Sequence, residues 1–188
     1  DNTEDNARAN GGDTITLSIT ASEGIMSPTV TIAGTSATVT ATSASTYSAV
    51  YSVTSEDDEG RASLSVGFQD IAGNVGTTIT SVTDSSRVTI DLTAPTLTSV
   101  HIESDNAAAS SKANDGDTIT VSFTSNEDIV EPAVDIAGQT ATVSGTDART
   151  WSASYVVVES DVADGTSDVA ITFVDLASNP GVTVTSVT

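Results

Sequence analysis

The chain of 188 residues contains its own second copy, and this duplication constrains the fold more than any other feature. Asp1-Asn2 recurs as Asp105-Asn106. Ala9-Asn10 and Gly12-Asp13-Thr14-Ile15-Thr16 recur as Ala113-Asn114 and Gly116-Asp117-Thr118-Ile119-Thr120, at a spacing of 104. Ile32-Ala33-Gly34 returns as Ile136-Ala137-Gly138, and Ala37-Thr38-Val39 as Ala141-Thr142-Val143. After one inserted residue, Phe68-Gln69-Asp70-Ile71-Ala72-Gly73-Asn74 corresponds to Phe173-Val174-Asp175-Leu176-Ala177-Ser178-Asn179 at a spacing of 105. A unit repeated at this period has to bury its own core within roughly 100 residues, so two small domains are expected rather than one large one.

Apolar residues alternate within each copy, which gives a strand one apolar face. Ile15, Leu17 and Ile19 match Ile119, Val121 and Phe123, while Val30 and Ile32 match Val134 and Ile136. Tyr47, Ala49, Tyr51 and Val53 match Trp151, Ala153, Tyr155 and Val157, and Leu64, Val66 and Phe68 match Val169, Ile171 and Phe173. No stretch carries an apolar face at helical spacing. Ser and Thr make up nearly a third of the residues, whereas the helix formers Leu, Glu and Lys are scarce. Leu, Ile, Val and Phe together number 42 of 188, just enough to build a core. Each copy is therefore expected to be all-β, an antiparallel sandwich of about seven short strands of the immunoglobulin-like kind. Pro95, in Asp91-Leu92-Thr93-Ala94-Pro95-Thr96, cannot donate to a ladder and marks the passage between copies, placing domains at 1–94 and 95–188. On this phasing copy one lacks the unit's first strand, and copy two lacks its last, the counterpart of Arg87 to Asp91.

Charge and composition exclude several functions. Acidic residues outnumber basic ones 26 to 5, for a net charge of −21, which rules out a phosphate-binding groove and a nucleic-acid partner. The absence of Cys removes thiolate metal sites and Cys nucleophiles, and no apolar run reaches the roughly 18 residues needed for membrane insertion. The single histidine, His101, lies between Val100 and Ile102, so alternation points it outward and no Ser-His-Asp constellation can form around it. Nucleophile elbows, phosphate-cradling glycine loops and metalloprotease helices are absent, and the chain reads as non-catalytic. Every aromatic residue falls on an expected core face, leaving no exposed platform for stacking sugars. Hydrogen-bonded or calcium-mediated recognition stays open.

With its duplication, its Asp-x-Ala-Gly-Asn turn (Asp70 to Asn74) and its Asp-x-Thr-Ala-Pro hinge (Asp91 to Pro95), the chain resembles tandem bacterial immunoglobulin-like (Big) repeats of giant calcium-dependent surface adhesins. The resemblance spans both copies. It implies two tandem immunoglobulin-like or cadherin-like β-sandwiches in a rod, at a cell surface or secreted, serving cell adhesion and biofilm formation. Such repeats are spacers whose partners are neighbouring repeats of the same chain, often stiffened by calcium between domains, with ligand binding at a distal tip. Copy two departs from the turn motif at Ser178 and Pro180, so an altered turn is expected there.

The acids can be read independently of that resemblance. In a sandwich of this kind the turn after the second strand and the turn before the last strand lie at the same end. In copy two these turns hold Glu127, Asp128, Asp175 and Asn179, and the hinge holds Asp91. Copy one has Glu23, Asp70 and Asn74 at the matching positions, and its loop Glu56 to Gly60 is expected near the same junction. Two carboxylates about 5 Å apart repel by roughly 1 to 3 kcal/mol, and a divalent cation reverses that sign. Calcium takes oxygen ligands of these types. Asp91, Glu127 and Asp175 are accordingly candidate calcium ligands, with Asp128 and Asn179 as further candidates. The competing reading is that each Asp caps its own turn and each Glu is solvated. A second acidic loop runs from Asp161 to Asp168. The functional expectation is an extracellular spacer. The alternatives are an adhesive module binding a host protein or polysaccharide, and an accessory module of a secreted hydrolase.

Overall fold

The computed structural model describes residues 1–160, 165 and 168–185, so most of the acidic loop from Asp161 to Asp168 lies outside the described residues. The chain is all-β, with no helix among the described residues, and divides into two compact units, Asp1–Leu92 and Thr93–Thr188.

The first unit contains β1 (Arg8–Ala9), β2 (Thr14–Thr20), β3 (Thr29–Ile32), β4 (Thr35–Ser36), β5 (Thr38–Ala41), β6 (Thr46–Ser52), β7 (Gly60–Arg61), β8 (Leu64–Gly67) and β9 (Thr89–Ile90). They form sheets ordered β2-β6-β5, β4-β3-β8 and β1-β9-β7. The β1–β9 pairing is parallel and joins the two ends of the unit, while the others are antiparallel. The second unit contains β10 (Leu97–Ser104), β11 (Thr118–Ser125), β12 (Ala133–Ile136), β13 (Gln139–Thr140), β14 (Thr142–Gly145), β15 (Thr150–Val156) and β16 (Val169–Thr172). Its sheets are ordered β10-β11-β15-β14 and β13-β12-β16.

Duplicated sequence produces duplicated register. Ile15, Leu17 and Ile19 on β2 face Tyr51, Ala49 and Tyr47 on β6, and Ile119, Val121 and Phe123 on β11 face Tyr155, Ala153 and Trp151 on β15. An alanine opposite the central residue, itself fully buried in both copies, leaves room for the bulkier pairs on either side. Both units also close a hairpin on two residues, Ala33-Gly34 and Ala137-Gly138, all four with positive φ. That geometry matches the right-handed twist of the flanking strands.

The units differ at one edge. In the second, β10 pairs along β11, setting Val100 opposite Phe123 and Ile102 opposite Val121. Val121 and Phe123 are fully buried, and Leu97, Val100 and Ile102 pack on their core. By the repeat spacing the counterpart of β10 in the first unit would fall before Asp1. Its β2 is a sheet edge, and Leu17 and Ile19 are only half-buried. His101 points outward from β10, 3.7 Å from Glu103.

Candidate functional site

Most of the repeated polar residues organise the chain around them. Asp105 accepts the amide of Thr118 as Asp1 accepts that of Thr14. Asp117 accepts the Asn114 amide and the Asn106 side chain, and Asp13 repeats this with Asn10 and Asn2. The side-chain amide of Asn106, followed by the Asn114 backbone, holds the Asp117 carboxyl below the usual carboxylate range. Asp57 works the same way between β6 and β7. Burial pushes its carboxyl up, but the Thr54 amide and the Tyr51 hydroxyl outweigh this and bring it below its ordinary value. In the same loop Glu59 accepts the Leu92 amide at 2.8 Å.

The Asp-x-Ala-Gly-Asn turn is a closed clamp. Asp70 Oδ1 accepts the Asn74 amide at 2.8 Å, Oδ2 accepts the Asn74 side-chain amide at 2.7 Å, and the Asp70 amide donates back to the Asn74 carbonyl. The Asn74 side chain, then its backbone, lowers the Asp70 carboxyl from its ordinary value. Asp175 and Asn179 rebuild the clamp at 2.8 Å and 2.8 Å, and Asp175 also accepts the Ala177 amide. The expected alteration at Ser178 and Pro180 does not occur. Ser178 adopts φ 68° where Gly73 has 91°, both donate to the carbonyl of the turn's aspartate, and Pro180 bridges Val174 as Val75 bridges Gln69. The physical reason is that the Asp–Asn pair, rather than the glycine, specifies the turn. A non-glycine residue in that region costs about 1–2 kcal/mol. Ser178→Gly is therefore expected to stabilise the second unit by up to about 1 kcal/mol, part of the strain relief being offset by a freer unfolded chain. Urea unfolding followed by the fluorescence of Trp151 checks it, and a lower midpoint would show that Ser178 is held by more than its turn.

The two copies of the clamp differ in environment. Asp175 is 1% exposed and Asn179 8%, whereas Asp70 is half-buried and Asn74 exposed. In both units the chain leaving the acidic turn runs beside the clamp, through the bridge of Ile25 with Asp70 and the bond from Met26 to Gln69 in the first, and through the bridge of Ile129 with Asp175 and the bond from Val130 to Val174 in the second. Ser125 Oγ, donating to the Glu127 carbonyl, fixes that turn. A carboxylate oxygen of Glu127 consequently lies within 4.8 Å of one from Asp175. Asp175 accepts two bonds at Oδ1 and one at Oδ2, so the second lone pair of Oδ2 is the position that suits a hard cation.

The other sequence candidates have partners of their own. Asp128 turns to Arg149, whose Nε lies 2.6 Å from its carboxylate and whose Nη1 donates to the Asn126 carbonyl. Asn179 serves the site through Asp175, orienting its carboxylate. Asp91, in the first unit, lies 3.2 Å from the Arg8 guanidinium with 17% of its side chain exposed, and its amide donates to Ala9. Any metal on Asp91 would share that carboxylate with Arg8. Reading the acids alone missed Arg8 and Arg149. With only 5 basic residues against 26 acids, the few cations deserved to be assigned partners first.

No protein-family model matches the chain, and no curated protein matches it. Among solved structures, it is similar to the Bacteroides ovatus mixed-linkage glucan utilization locus SGBP-B in complex with a mixed-linkage heptasaccharide. The identity is 18% and the TM-score 0.28, over 95% of this chain and 42% of that one. The chain thus spans less than half the length of that protein, and at this score the likeness adds nothing to the reading of function.

Proposed function

We propose that the chain is a non-catalytic, extracellular spacer: two tandem repeats of a surface or secreted adhesin that hold another domain away from the cell. The observation carrying this reading is that both copies rebuild the same register and the same Asp–Asn clamp from the same residues. What the duplication preserves is thus scaffold rather than a distinctive surface. All seven aromatic side chains are buried or half-buried, which weighs against sugar stacking. The net charge of −21 keeps neighbouring molecules apart.

Calcium is the second part of the proposal. Asp91, near the end of copy one, and the convergent Glu127 and Asp175 of copy two are its ligands, with Asn179 orienting Asp175 and Asp128 engaged by Arg149. A hard cation there would offset the repulsion of the carboxylates and stiffen the passage between repeats, with extracellular sites working at about millimolar affinity. The test is calorimetry and small-angle scattering of the chelator-treated chain, titrated to about 10 mM calcium. One binding event and a longer maximum dimension are expected, both abolished in Asp91→Asn combined with Glu127→Gln. Superimposable scattering profiles with and without the ion, and no heat, would remove calcium from the proposal while leaving the spacer reading to be judged by extension alone.

A further inference from the structure

We propose that the outer edge of β5 in the first unit is a self-association edge, pairing antiparallel with β5 of a second copy of this chain about a two-fold axis at Thr40. Charged residues make up 16% of the chain, yet none of those from Gly24 to Ser55 is charged. That run forms β3, β4, β5 and β6. The remaining strands of their two sheets, β2 and β8, are uncharged as well, so no strand of β2-β6-β5 or β4-β3-β8 carries a charge. The counterpart stretch of the second unit includes Glu131, Asp135, Asp147 and Arg149. Like charge keeps copies of a chain at −21 apart wherever it is displayed, and this edge is where it is not displayed.

The edge belongs to the repeat itself. β5 ends the order β2-β6-β5 among the described residues, and the second unit, with β10 in place, ends likewise on the equivalent strand β14. Thr42 donates its amide to the Thr46 carbonyl. Bonded and non-bonded pairs alternate along an antiparallel ladder, so Thr40 and Thr38 bond Ser48 and Val50, and the amides and carbonyls of Val39 and Ala41 point to the open side. Two such edges fit each other. With Val39 of each copy opposite Ala41 of the other, all four of these residues exchange backbone bonds. Thr40 then meets Thr40 and Thr38 meets Thr42 on the exposed face, hydroxyl against hydroxyl, while Val39 and Ala41 meet on the core side. Sheet edges are usually guarded by charge, proline or a bulge, and Thr38–Ala41 has none of these. In β14 the place of Ala41 is taken by Gly145, which weakens a strand, and Asp147 follows two positions on. The pairing is isologous, and its backbone bonds supply the affinity as in β-strand addition.

The test is sedimentation velocity of the whole 188-residue chain up to about 1 mM. A reversible dimer with a dissociation constant of about 0.1–1 mM is expected, the strength of so small a contact. It should tighten from about 0.15 M to about 1 M sodium chloride, because the Debye length falls from about 8 Å to about 3 Å and screens the repulsion between copies. Thr40→Lys, at an exposed position, sets two ammonium groups on the axis and should weaken the dimer about tenfold, although it lowers the net negative charge. Ser144→Lys, the equivalent change on the exposed face of β14, should leave it unchanged. Amide exchange of Val39 and Ala41 should slow about threefold in the concentrated sample, that of Val143 not at all. Monomer alone at the highest concentration and salt, a dimer dispersed by salt, no weakening by Thr40→Lys, or equal weakening by the two variants would each overturn the proposal.

Discussion

Asp175→Ala is expected to cost the second unit about 2–4 kcal/mol, because it strands two backbone amides and the Asn179 side chain in a buried turn. Leaving buried donors unsatisfied costs about 1–3 kcal/mol each, less what water recovers on relaxation. The same substitution at Asp70 should cost clearly less, since there the freed donors of Asn74 are exposed and water replaces the carboxylate. Trp151 is the sole tryptophan and sits in the second unit, so its fluorescence through a urea titration reads that unit directly. Hydrogen exchange along β6 reads the first. A second-unit midpoint shifted by less than about 0.5 kcal/mol would mean that the clamp reports the fold without stabilising it. Asp175→Asn keeps the shape but sets one amide against the Asn179 side chain, and should fall between the two.

The other large effect involves a glycine that no turn requires. A Cβ on Gly181 would lie 2.1 Å from the ring of Phe173, which is 6% exposed and packed in the core, so Gly181→Ala forces ring or backbone to move. Overpacking of this kind costs about 3 kcal/mol. Gly76 holds the same relation to Phe68, with a Cβ at 2.2 Å, but Phe68 is only half-buried, so fewer neighbours oppose a shift of its ring. Gly76→Ala is expected to cost under about 1 kcal/mol. The same two readouts apply, and equal losses would show that Phe68 is as confined as Phe173.

These pairs mark what was legible before any coordinates. The strands and their facing partners could be read from alternation, because Ile15, Leu17 and Ile19 or Tyr47, Ala49 and Tyr51 each place one face inward whatever their neighbours do. The buried depth of those faces could not. Leu17 and Val121 hold the same place in the pattern, yet one is half-exposed and the other sealed, because burial depends on whether a fourth strand lies alongside. Gly76 and Gly181 gave no signal because their role is to let a ring approach the backbone, a contact set by packing rather than by local dihedral preference. Ser178 misled in the opposite sense, since losing a glycine suggested a changed turn where a carboxylate and an amide impose the same one. For the acidic cluster, residue types and chain positions were visible, and the convergence of Glu127 with Asp175 is found within one unit. The diversion of Asp128 depended on Arg149, 21 positions away.

The carboxylate clips also bear on how such a chain could change length over generations. Asp13, Asp57, Asp70, Asp84, Asp117, Asp147 and Asp175 each bond donors no more than 11 positions away in the chain. A stretch of gene encoding one module therefore carries both halves of each of these polar contacts. Recombination that inserts, deletes or reorders modules would leave no such carboxylate without its donors, and copies could drift in outward-facing sequence while each still folds from its own instructions.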